Sequence, residues 1–163
     1  MLIRRLRPDE WAALRDLRLR ALATDPDAFG GTLAEAEAHP DEVWQARAND
    51  PTAPILVAEA IHTDGLIGMA ILALAPDERA GASLYSMWVA PQAREQGVGA
   101  ALVDAVVDRA RAAGCPAIGL GVTTTNTAAI ALYVRKGFAD IGERHPLRED
   151  TDLVIQIMEK SLS

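Results

Sequence analysis

The chain has 163 residues, half of them hydrophobic and about a quarter charged, and 23 acidic side chains outnumber 16 basic ones for a formal net charge of −7. That length suits one domain, residues 1–163, with room for a substantial core. The acidic balance argues against sequence-independent nucleic-acid binding, which relies on clustered Lys and Arg, and leans mildly toward a neutral or cationic substrate.

The first eight residues, Met1 to Pro8, lack the apolar core of a signal peptide, and no apolar run is long enough to span a bilayer. The expectation is a cytoplasmic protein with no membrane partner. A short strand is expected over residues 2–6. Pro8, Asp9 and Glu10 then open a helix running to about residue 23, because Pro suits a first turn and acids complement the helix dipole. Trp11, Leu14, Leu17, Ala21 and Leu22 recur at helical spacing and should face the core. Residues 25–27 end that helix. Phe29 to Thr32 reads as a loop, followed by an acidic segment carrying Glu35 and Glu37. A second helix is expected from Pro40 or Asp41 to Ala48.

Strands follow over residues 55–60 and 66–74, joined through Asp64-Gly65, a hairpin signal. Another strand covers residues 82–89. A helix runs from Val98 to about Ala113, with Gly114 as its C-terminal cap. Cys115, the only cysteine, allows no intrachain disulfide and should pack, while His39, His62 and His145 show no metal-ligand spacing, so no metal is expected. A strand over residues 117–122, a helix over 126–136 ended by Gly137, and strands over 138–141 and 153–158 around a charged loop complete the chain. This order predicts an α/β fold of the α+β type, a mixed sheet with helices on both faces.

The most informative stretch is Arg94 to Ala100, a glycine-rich turn between a strand and a helix. A helix N-terminus presents free N–H groups and partial positive charge, so it binds phosphate. No Lys-Ser or Lys-Thr follows the glycines, which excludes a P-loop, and the spacing is not the three-glycine dinucleotide fingerprint. Arg94 beside the turn is placed to meet a phosphate oxygen.

Arg94-x-x-Gly97-x-Gly99 resembles the Q/R-x-x-G-x-G/A signature of the GCN5-related N-acetyltransferases. Downstream, Asn126, the Leu132-Tyr133 pair and Gly137-Phe138 resemble the family's second signature in the right order and spacing. The resemblance implies the family's fold, a largely antiparallel central sheet flanked by helices, and acetyl-CoA as co-substrate. It implies that the amides of Glu95, Gln96, Gly97, Val98, Gly99 and Ala100, with Arg94, hold the coenzyme A pyrophosphate. One departure is Glu95, where many members carry Gly; its side chain is expected to turn to solvent.

The resemblance further implies that the pantetheine arm lies along the strand Ser86-Met87-Trp88-Val89, pairing with backbone groups of Met87 and Val89, in a slot opened by divergence from the next strand. A backbone amide of Met87 or Trp88 would polarise the thioester. On the later helix Asn126, Ala129 or Ile130, and Tyr133 fall on one stripe along the same ligand. Tyr133 is the candidate general acid for the leaving thiolate; the competing reading makes it a core aromatic with its hydroxyl on a backbone carbonyl. No general base is legible: the matching strand position falls near Ser83, and Glu35, Glu37, His145 or a water chain remain open. Phe29, Glu35, Glu37 and Trp88 are candidates for the acceptor pocket. The implied activity is acetyl transfer to a primary amine, on a small molecule or a peptide, by direct attack in a ternary complex. A non-catalytic acyl-CoA sensor and, behind it, a nucleotidyl transferase are the alternatives. Family members are often dimers, and the last strands offer an interface.

Overall fold

The structure, a computed structural model, describes residues 1–63 and 65–163. β1 (Leu2–Arg5) leads through a 3-10 turn (Pro8–Glu10) into α1 (Trp11–Thr24), and α2 (Leu33–Ala38) and α3 (Asp41–Asn49) follow. β2 (Ile55–Glu59), β3 (Leu66–Leu74) and β4 (Ala82–Val89) come next, then α4 (Val98–Ala112), β5 (Ala117–Thr123), α5 (Thr127–Arg135), β6 (Ala139–Pro146) and β7 (Val154–Ser161). The strands form one sheet in the order β1-β2-β3-β4-β5-β7-β6, and only β4 and β5 run parallel. The Asp64 half of the expected hairpin signal lies outside the described residues; the strands on either side pair antiparallel as expected.

Helices cover both faces. β2 is buried on both, and its side chains alternate between two cores: Leu56 and Ala58 join α4, whereas Ile55 and Val57 join α1 and α3. On one side Val98, Leu102, Val103, Val106 and Ala110 of α4 pack on the sheet together with Tyr133 of α5. On the other, Leu14, Leu17, Ala21 and Leu22 of α1 pack with Trp44 of α3, while Trp11 stays only partly buried. Gly114 caps α4 at φ +80°, donating to Arg111 O at 3.0 Å while Cys115 N reaches Ala110 O at 3.1 Å.

The structure adds one element and lengthens another. The acidic segment carrying Glu35 and Glu37, to which the sequence pattern assigns no element, is helix α2, started by Thr32, whose Oγ1 accepts from Glu35 N at 3.2 Å. The strand expected to stop at residue 141 continues as β6 to Pro146. Gly142 at φ +85° absorbs a register shift between Asp140 and Arg144, so the glycine bends the strand without ending it. His145 therefore stands on β6, exposed, with Nε2 3.2 Å from Glu143 Oε2.

Candidate active site

β4 is irregular where the chemistry was expected. Ile71 pairs with Tyr85 but Met69 with Trp88, so two steps on β3 oppose three on β4. The extra residue sits at Ser86, whose φ is +53° in the middle of a strand. A bulge reverses the alternation of side chains. Ala82 and Leu84 face α4 before it; after it Met87 and Val89 face α4 and Trp88 faces α1. Beside it, β5 pairs with β4 only at Ser83 and Leu84 and then departs, leaving Met87 to Val89 without a neighbour on that edge. This is the slot that the sequence resemblance implied.

The turn into α4 lies next to that open edge. Glu95 adopts φ +64° and Gly97 φ +82°, and Gly97 is the N-cap with no side chain completing the cap. Ala101 is the first residue of the helix to find a carbonyl, Gly97 O at 3.0 Å, so the amides of Val98, Gly99 and Ala100 have no acceptor one turn back. A Cβ on Gly99 would lie 3.0 Å from Met87 Cε and 3.2 Å from Leu132 Cδ2. The glycine thus lets α4 approach both β4 and α5. Glu95 is exposed, as expected.

Other candidates hold the site together more than they face it. Arg94 donates from Nη2 to Asp25 Oδ2 at 2.5 Å and from Nε to Val89 O at 3.0 Å. Two of its three guanidinium nitrogens thus hold protein atoms, and the side chain stays 43% exposed. The same Asp25 oxygen accepts from Trp88 Nε1 at 2.8 Å, and the Trp88 ring is buried against α1, a core position rather than a pocket wall. Asp25 therefore ties the end of α1 to β4 and to the α4 turn. Phe29 is likewise core, 4% exposed, beneath the Arg18 guanidinium at 4.8 Å. Its carbonyl accepts from Arg148 Nη1 at 2.9 Å, and Thr123 Oγ1 donates to Asp27 O at 2.6 Å; β5 and the β6–β7 loop together fix the segment after α1.

On α5, Asn126 Oδ1 caps the helix by accepting from Ala129 N at 3.3 Å, which leaves its Nδ2 for a ligand. Asn126, Ala129 and Ile130 are half-buried and Tyr133 is buried, the stripe that the spacing predicted. The Tyr133 ring meets Phe138 edge-on at 5.9 Å. Among the described residues its hydroxyl hydrogen-bonds to no group of the chain, and it is not one of the sealed, unpartnered polar atoms, which are Trp44 Nε1 and Arg148 Nε. Burial pushes the phenol well above its usual range, so it keeps its proton throughout the neutral region.

Across the sheet from α4, a cavity of about 190 Å³ opens between α1, α3 and the β4 bulge. Arg18, Arg47, Asp50 and Ser86 supply its polar lining, and Leu14, Trp44 and Ile71 supply much of its apolar wall. Arg18 Nη1 donates to Ser86 Oγ at 2.5 Å. Sequence reasoning missed Arg18, Arg47 and Asp25, and the place of Ser86 in this cavity. The side-chain hydrogen-bond partners of Arg18, Asp25 and Ser86 lie more than 60 residues away, Arg47 meets the nearby His39 and Trp44, and no local motif marks any of the four. Glu35 and Glu37, exposed on α2, stand outside the cavity lining. No cluster of His, Cys, Asp and Glu able to hold a metal occurs among the described residues.

The chain matches the acetyltransferase (GNAT) family over residues 11–138. It is 32% identical over 131 residues to the mycothiol acetyltransferase of Beutenbergia cavernae, a match covering 80% of this chain and 41% of that protein, so it spans less than half of that relative's length. It is 31% identical over 119 residues to the aminoglycoside N(6')-acetyltransferase type 1 of Klebsiella aerogenes, covering 69% of this chain and 76% of that one. The structure of yncA from Salmonella typhimurium, solved with its cofactor acetyl-CoA, superposes with a TM-score of 0.77 at 21% identity over 100% of this chain and 94% of that one. A bulged and splayed β4, an open amide turn and a family match across most of its length all lead to one assignment: the chain belongs to the acetyltransferase (GNAT) family.

Proposed function

We propose that the chain is a cytoplasmic, single-domain N-acetyltransferase that moves the acetyl group of acetyl-CoA to a primary amine by direct attack in a ternary complex. The observation that supports this most is the departure of β5 from β4 after Ser83 and Leu84, beside an amide-rich helix start. The residues present fit the group: Gly99 keeps a Cβ out of the gap between α4 and β4, and the first-turn amides are without acceptors in the chain. Acetyl-CoA, when bound, supplies a thioester whose carbonyl carbon bonds the amine nitrogen as its bond to sulfur breaks.

In this reading the amides of Glu95 to Ala100 hold the pyrophosphate. Backbone groups of Met87 and the Val89 amide, on the edge that β5 leaves, align the pantetheine arm, and a Met87 or Trp88 amide polarises the carbonyl. Asn126 Nδ2 and Ala129 border the arm. Arg94 acts by position, clamping the turn to Asp25 and Val89. Tyr133 holds a proton at its phenol oxygen and releases it to the departing sulfur. The proton shed by the amine leaves through solvent.

The test pairs calorimetric acetyl-CoA binding with thiol release over a broad amine panel. Tyr133→Phe should lower kcat about 100-fold, within the range of acid–base contributions, with acetyl-CoA affinity near wild type. Undiminished turnover would remove Tyr133 from the mechanism. Tight binding without turnover on any amine would favour the sensor reading instead.

A further inference from the structure

The cavity beside the β4 bulge holds two guanidinium groups, Arg18 and Arg47, and among the described residues neither is ion-paired. Arg18 has Ser86 Oγ and the Phe29 ring; Arg47 lies over Trp44, 5.0 Å from the ring centroid, with His39 Nε2 at 3.4 Å. Among the described residues the nearby carboxylates pair with neither arginine, although Asp50 shares the cavity lining. Asp50 turns Oδ1 to Thr52 N at 2.8 Å and Thr52 Oγ1 at 2.7 Å, and Asp41 pairs with Arg15 at 3.3 Å. Glu35 Oε2 and Arg18 Nη2 lie 4.0 and 3.9 Å from the point where a Cβ on Gly31 would sit, but they form no ion pair. Burial, and then the charge of Arg47, push Arg18 down to about 10. It stays cationic at neutral pH, in a site that favours an incoming anion. A partly desolvated cation is ordinarily paired, and the missing partner here is an anion.

We propose that this cavity receives a carboxylate carried by the same small molecule as the acceptor amine, so that the substrate is of the amino-acid class. The inference rests on the acetyltransferase reading and names the acceptor for it. Two arginines match a carboxylate through paired N–H donors. Ser86, which touches Arg18, immediately precedes Met87 at the open edge, so an acid held in the cavity leaves its amine next to the slot. About 190 Å³ suits a ligand of amino-acid size. The same charges repel polycationic amines. Local charge thus opposes the lean toward cationic substrates drawn from the net charge.

The experiment compares free amino acids with their C-terminal amides, which keep the amine and lose the anion, and with a polyamine. Thiol release from acetyl-CoA and calorimetric binding of each acceptor are both measured. Wild type should favour acids over amides about 30-fold or more in kcat/KM, chiefly through KM. Arg47→Gln, at an exposed position that leaves the fold intact, should reduce that preference to less than about threefold and weaken acid binding, with acetyl-CoA affinity unchanged. Arg18→Met should do the same, its fold checked by circular dichroism. Equal handling of acids and amides, preference for the polyamine, or an acid preference that survives both substitutions overturns the proposal. If acetyl-CoA fails to bind or no amine releases thiol, the acetyltransferase reading falls. The calorimetric arm then decides the cavity alone: acid binding lost in Arg47→Gln supports it, and no acid binding overturns it.

Discussion

Glu95 illustrates how one residue can satisfy a backbone role and oppose an electrostatic one. At φ +64° a side chain is strained by about 1 kcal/mol or more relative to glycine. Its carboxylate also sits at the positive end of α4, where a bound pyrophosphate would meet it as a like charge. Glu95→Gln should tighten coenzyme A binding about two- to fivefold by removing the charge, a gain that shrinks in 0.5 M salt as screening grows. Glu95→Gly should match that gain in affinity while changing stability little, because relief of strain is offset by the greater freedom of glycine in the unfolded chain. Calorimetry at two salt concentrations checks both, and an affinity gain that ignores salt would assign the effect to the backbone instead. At this scale the sequence was legible where a residue type is demanded by space or dihedral angle: Gly97 by its positive φ, Gly99 by the closeness of Met87 and Leu132. It was not legible for Arg94 and Trp88, whose partner Asp25 lies 69 and 63 positions away and whose roles depend on the folded arrangement.

At the scale of elements, β3 and β4 are found over the residues that alternation and turn signals predicted, 66–74 and 82–89. Their paired register was not legible, because the bulge is placed at a serine rather than at a glycine that would have marked it. The short α2 was legible in principle: Thr32-x-x-Glu35 is a helix-start pattern, although Leu33 followed by alternating Ala and Glu carries no apolar stripe. The bulge is what turns Met87 and Val89 toward α4 and opens Ser86 to the cavity. Ser86→Val puts a β-branched side chain at φ +53° and removes the hydroxyl that accepts from Arg18. It should cost about 2 kcal/mol in chemical denaturation and lower kcat/KM more than tenfold. Ser86→Gly keeps the dihedral angle, so it should retain stability to within about 1 kcal/mol. If both variants lose stability equally, the hydroxyl rather than the backbone angle holds the bulge.

Across the whole molecule, composition and site carry opposite signs: the surface is acidic overall, yet the cavity beside the bulge is lined by two arginines and one aspartate. Net charge therefore reports on the solvated surface and not on this cavity, which elements distant in sequence assemble. The same long-range logic anchors the sheet edge. Arg4 on β1 binds Glu10 at 2.6 Å and Glu59 on β2 at 2.9 Å, and Glu10 also accepts from Arg7 N at 2.7 Å. The Arg4 guanidinium holds the Glu10 carboxyl down to about 2, below its ordinary 4.5. A carboxyl depressed in the folded state binds its proton more readily when unfolded. Its stabilisation is complete above pH 4.5 and is lost as pH falls from there toward 2. Allowing for solvent screening, the contribution is about 1 kcal/mol. Glu10→Gln should therefore be less stable than wild type by roughly that amount at pH 7, and the two urea-unfolding curves should converge as pH approaches 2. A stability difference that stays constant from pH 7 to 2.5 would show that Glu10 acts through its backbone hydrogen bond to Arg7 and packing, and not through its charge on Arg4.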